Sequence, residues 1–72
     1  MPYAEISDLP PSVRHHLPRH AQEIYLSAFN HAWEEYAARP DRETLAHRVA
    51  WAAAKRKYAK TGARWVPKQR EP

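Results

Sequence analysis

Between His20 and Tyr36 the apolar residues Ala21, Ile24, Tyr25, Ala28, Phe29, Ala32, Trp33 and Tyr36 recur at i, i+3, i+4, i+7, i+8 and onward. That periodicity marks one continuous face of an α-helix. A helix with so wide an apolar face needs the rest of the chain to cover it. The chain has 72 residues, enough for one domain. A core of that size is marginal unless it is stapled or densely packed. There is no cysteine, so neither a disulfide nor a thiolate metal site supplies the staple. Aliphatics are scarce, with four Leu, two Ile and three Val. The expected core is therefore aromatic anchors set among alanines: Ile24, Tyr25, Phe29, Trp33 and Tyr36 from the central helix, and Val49, Trp51 and Tyr58 from a later one. Each buried aromatic contributes about 2–3 kcal/mol.

The flanking segments read as follows. Pro2 disfavours helix, so residues 2–5 are expected to be extended. Ser7 or Asp8 is placed to cap a short helix over residues 10–17, with Pro10 and Pro11 in its first turn, where a missing N–H costs nothing. Leu9, Val13 and Leu17, four apart, form its buried edge. Pro18 separates it from the central helix, expected over residues 18–38 and about 30 Å long. Arg39-Pro40-Asp41 is the clearest break. A third helix follows over residues 42–60, with Gly62 as its left-handed stop. Its alanines at 46, 50, 53 and 54 allow close approach to the aromatic stripe. Trp65-Val66-Pro67 reads as a short edge strand whose partner is the extended N-terminus. The expected fold is thus mainly α: a short helix, a long central helix and a third helix, with a two-stranded β ribbon joining the termini. Residues 1–67 form the single domain, and 68–72 a disordered tail.

Charge is unevenly distributed. Residues 1–36 carry two basic against five acidic side chains, a net −3, and residues 37–72 carry ten against three, a net +7. The basic cluster comprises Arg48, Lys55, Arg56, Lys57, Lys60, Arg64, Lys68 and Arg70. Such a face binds nucleic-acid phosphate, anionic lipid or an acidic protein surface, or simply keeps the domain solvated. It offers no Asn or Gln for base readout, so any DNA binding is expected to be weak, salt-dependent and sequence-indifferent. The longest fully apolar run, Val49 to Ala54, is six residues, far short of the roughly 20 needed to span a bilayer. No basic leader with an apolar run opens the chain, so a soluble, cytoplasmic protein is expected.

Catalysis finds little support. Glu34 and Glu35 are adjacent and point in different directions on a helix. The serines lack a nucleophile-elbow context, and the single glycine excludes a phosphate-cradling loop. A domain this small is also expected to lack a pocket of ligand size. His16 and His20 have the i, i+4 spacing of a helical zinc pair, but Pro18 divides them. No metal or other cofactor is expected, and His47 reads as a packed, hydrogen-bonded residue. The five histidines leave open a role in pH sensing.

Several phrases in order resemble the ChaB family. Leu9-Pro10-Pro11-Ser12-Val13 and Leu17-Pro18-Arg19-His20-Ala21-Gln22-Glu23-Ile24-Tyr25 are similar to its opening. Ala28-Phe29-Asn30-His31-Ala32-Trp33-Glu34-Glu35-Tyr36 is similar to its central helix, and Glu43-Thr44-Leu45-Ala46-His47-Arg48-Val49-Ala50-Trp51-Ala52-Ala53-Ala54-Lys55 to its third segment. The likeness runs over residues 1–66; the chain departs from it in the short Ala37–Asp41 linker and at Leu45. The resemblance implies a few helices with a small sheet, no catalytic residues, and regulation of cation transport in association with a sodium/calcium–proton antiporter. The implied partner is a membrane cation antiporter or its regulator. The alternative is a small basic protein that associates with nucleic acid through its phosphate backbone. Neither reading fixes an oligomeric state.

Overall fold

The computed structural model describes residues 3–62 and 64–67. In chain order these form a 3-10 turn (Ile6–Asp8), α1 (Pro11–His16), α2 (Arg19–Glu35), α3 (Arg42–Lys57), β1 (Tyr58–Thr61) and β2 (Arg64–Pro67). The architecture is mainly α with a two-stranded ribbon, the class expected from the sequence.

The long helices form the body. Contacts along them run in opposite directions: Arg42 lies over Trp33, His47 meets Phe29 and Tyr25, and Trp51 meets Tyr25. α2 and α3 are therefore antiparallel neighbours, as the short connection demands. Ala21, Tyr25, Phe29 and Ala32 of α2 face Ala46, Ala50 and Ala54 of α3, and all seven are fully buried. Small residues on one helix let the aromatic ridge of the other settle against its backbone. Of the core residues named from sequence, Tyr25, Phe29 and Tyr58 are buried, whereas Ile24, Trp33, Tyr36, Val49 and Trp51 are half-buried around them. The burial axis is rotated toward the i, i+4 alanines because the third side of the core is closed by Leu9, Val13 and Leu17, buried one helical turn apart.

Side chains tie off the helix ends. Gln22 Nε2 donates to the Leu17 carbonyl at 2.8 Å and to the Arg14 carbonyl at 3.3 Å, closing the C-terminus of α1. Arg42 Nε donates to the Trp33 carbonyl at 2.8 Å, with its guanidinium 3.9 Å from the Trp33 ring centroid. Asp8 caps the 3-10 turn, accepting from the Glu5 N–H, rather than α1.

The ribbon differs from its expected construction. β2 pairs antiparallel with β1, in the register Tyr58↔Pro67, Ala59↔Val66, Lys60↔Trp65 and Thr61↔Arg64. It does not join the termini, and α3 ends at Lys57 rather than at residue 60. The reason lies in the turn. Gly62 has φ +63°, but this conformation opens a two-residue hairpin loop instead of stopping a helix. A strand starting at residue 64 then finds its nearest partner across that loop, and the last helical turn is given up to supply it. The N-terminal segment docks instead on α2. The Tyr3 N–H donates to Asn30 Oδ1 at 2.9 Å and Asn30 Nδ2 donates to the Tyr3 carbonyl at 2.7 Å, a side-chain amide imitating a strand partner. Residue 2 and the tail at 68–72 lie outside the described residues.

Candidate functional site

α3 turns its side chains at 48, 51, 52 and 55 to one side, the i, i+3, i+4, i+7 set that lies opposite its buried alanines. This places Arg48, Trp51, Ala52 and Lys55 along one wall of a surface groove. The ribbon supplies the second wall. Lys60 and Trp65 are directly paired across the strands, so their side chains share a face. Trp65 leans on Trp51, ring centroids 6.1 Å apart and tilted 40°. α1 closes the third side with Ser12 and His16. His16 Nδ1–H donates to the Ser12 carbonyl oxygen at 2.6 Å, which fixes the ring against its helix.

The result is an open concavity of about 710 Å³ with two half-buried indoles as its floor and Arg48, Lys55 and Lys60 on its rim. It corrects the expectation that a chain this short has no room for a concavity of ligand size. Among the described residues, none of these three cations has a carboxylate partner.

The structure thus brings together three members of the basic cluster. Arg56 and Lys57 are exposed on α3 but do not line the groove. Arg64, adjacent to Trp65 on β2, projects from the opposite face of the ribbon. Lys68 and Arg70 lie outside the described residues. Sequence reasoning missed Ser12 and His16, which come from an element far away in the chain. It also missed the Lys60–Trp65 pairing, which depends on the hairpin register. On α3 the helical spacing assigns Arg48 and Lys55 to the exposed face but Trp51 to the core, whereas the half-buried Trp51 also lines the groove.

The remaining chemistry-bearing residues are arranged for packing. His16 and His20 fall on different helices, and among the described residues no three His, Asp or Glu side chains gather as a metal site. His47 is wedged between Tyr25 and Phe29. Its Nδ1 accepts the Tyr25 hydroxyl at 2.5 Å, its ring centroid is 4.6 Å from that of Phe29, and its Nε2 is 4.0 Å from the Glu43 carboxylate. Burial holds its pKa below the usual imidazole value, against the opposing pull of Glu43. Burial also pushes the Tyr25 hydroxyl up to about 12. A second, smaller groove on the α2–α3 pair, about 550 Å³, is lined by Ile24, Ala28, Val49 and Ala53 together with His20, Glu23, Ser27 and His31. No helix among the described residues is long and apolar enough to cross a membrane.

A family model described as ChaB matches residues 9–68. The Escherichia coli (strain K12) protein named "Putative cation transport regulator ChaB" is 56% identical over a 66-residue alignment that covers 83% of this chain and 87% of that protein. A Shigella flexneri protein of the same name matches with the same identity and coverage. An NMR solution structure of a protein bearing that name superposes with a TM-score of 0.84 at 51% identity, covering 94% of this chain and all of the other.

Proposed function

This chain belongs to the ChaB family, and from that premise we propose that it is a non-enzymatic regulatory module that docks on a membrane cation antiporter or on its control element. The observation that carries the reading is the 56% identity to proteins named for cation transport regulation. The geometry supports a docking rather than a chemical role. The Ser12 and His16 that share the groove are joined through a backbone carbonyl, not as nucleophile and base. The domain instead presents, around an apolar floor, cations with no carboxylate partner among the described residues, suited to an acidic cytoplasmic segment of a transporter.

The test is reconstitution. A sodium/calcium–proton antiporter in proteoliposomes, assayed for cation-driven proton flux, is expected to change its rate at least twofold when the purified protein is added to its cytoplasmic side. Unchanged flux at saturating protein, together with no co-sedimentation, removes the proposal. A parallel titration against random-sequence duplex DNA at rising salt separates the alternative. Binding that follows a steep salt dependence, in the absence of any effect on flux, points to phosphate-backbone association instead.

A further inference from the structure

We infer that the groove between α1, α3 and the ribbon is a recognition site for a short acidic peptide segment that carries an apolar side chain between its carboxylates. This deepens the docking role proposed above and rests on it. Three observations set the chemistry of the occupant. The rim cations Arg48, Lys55 and Lys60 lack carboxylate partners among the described residues, while the ion pairs found there, Arg19–Glu23, Arg39–Asp41 and those of His31 and His47, lie elsewhere. The floor is apolar and aromatic, built from Trp51, Ala52 and Trp65. Arg48 and Lys55 stand seven residues apart on one helix, about 10 Å along its axis, with Trp51 and Ala52 between them.

An extended peptide spaces alternate same-face residues by about 7 Å, within reach of two flexible cationic side chains. Successive side chains of such a peptide point to opposite faces, so the apolar side chain is lowered onto the indoles while the carboxylates on either side of it turn up to the rim, one toward Arg48 and one toward Lys55 or Lys60. Charge complementarity alone would leave the floor unused, and an apolar ligand alone would leave the rim unused.

The same observations disfavour nucleic acid. Among the described residues the remaining cations do not extend the rim into a track for a phosphate backbone, since Arg64 faces away on the other side of the ribbon and Arg56 and Lys57 lie outside the groove. The two indoles lean on each other at 40° instead of standing parallel to receive a base.

The probe is a blocked eight-residue peptide of alternating glutamate and leucine, titrated into the protein while tryptophan emission is followed. Saturable binding is expected, weakened at least tenfold when glutamine replaces glutamate and at least tenfold when glycine replaces leucine. Lys55→Glu/Lys60→Glu is expected to abolish binding. Arg56→Glu/Lys57→Glu changes net charge equally but lies outside the groove, and is expected to weaken binding less than threefold. Equal loss in both double variants, no saturable binding, or tighter binding of a 12-nucleotide single strand or of phosphatidylglycerol vesicles overturns the inference.

The antiport assay keeps the two proposals apart. If Lys55→Glu/Lys60→Glu still modulates flux as the wild type does, the groove assignment fails and the regulatory reading stands. If the wild type binds the peptide but never alters flux, the groove assignment stands and the regulatory reading fails.

Discussion

Tyr25 and His47 show how a polar pair is accommodated in a core built from rings. The tyrosine hydroxyl lies against His47 Nδ1, and with Nε2 turned toward the Glu43 carboxylate the neutral ring that carries its proton on Nε2 accepts from the hydroxyl at Nδ1. Burial lowers the folded-state pKa of His47 below its ordinary value of 6.5, and protonation therefore favours the unfolded chain. The stability contributed by this pair is complete above about pH 6.5 and is lost as pH falls from there through the depressed folded value. Denaturant titrations from pH 8 to 5 should show this decline, and His47→Gln, which keeps an acceptor but does not titrate, should remove it. At the other end of the scale, the Tyr25 hydroxyl is raised to about 12, so stability should fall as pH rises from 10 toward that value. Asn30 acts at the same scale on a different segment. Removing its two hydrogen bonds to Tyr3 in Asn30→Ala should cost about 1–2 kcal/mol and should speed hydrogen exchange of the Tyr3 amide far more than that of amides in α2. Nothing in the sequence distinguishes Asn30 from the other polar residues of the central helix, because its partner is the backbone of a segment 27 residues away.

Among the elements, the helices were readable because their periodicity is local. The stripe from Ala21 to Tyr36 and the capping region at Asp41 place α2 and α3 within a few residues of their observed limits. The ribbon was readable only in part. Trp65 and Val66 announce a strand, but the choice of partner rests on a competition that propensity does not settle: whether residues 58–61 continue a helix or pair across Gly62. The hairpin wins because it satisfies the backbone of both strands at once, while the helix would satisfy only its own. Gly62 is the pivot of that competition. A Cβ at this position would meet nothing within 4 Å, so the cost of Gly62→Ala is the left-handed backbone alone, about 1–2 kcal/mol. Gly62→Asn should cost less, since asparagine tolerates that region. If the hairpin holds Trp65 against Trp51, both substitutions should alter Trp65 emission in that order, with the helical circular dichroism of α2 retained.

At the scale of the whole molecule, the chain separates what folds it from what it presents. A domain of this length has a total stability of about 4–11 kcal/mol. Phe29, fully buried, has ring neighbours in Tyr3, Tyr25, Trp33 and His47, and Phe29→Ala should cost about 3–5 kcal/mol, a large part of the whole. Ala50 is buried in the face that α3 turns to α2, and Ala50→Leu should cost about 1–3 kcal/mol by forcing the helices apart. Lys55 and Lys60 are exposed and make no described ion pair, so their substitution should leave stability nearly unchanged. The basic half of the chain was legible as a charge imbalance, but the groove was not, because its walls come from three elements whose juxtaposition depends on the ribbon register. Thermal melts provide the check. Phe29→Ala should lower the midpoint by more than about 12 °C, whereas Lys55→Glu/Lys60→Glu should melt within about 4 °C of the unsubstituted protein. If the charge-reversed protein melts as early as Phe29→Ala, the groove is part of the packing and its side chains are not free to serve a ligand. If it melts with the unsubstituted protein, any loss of binding in that variant belongs to the groove itself.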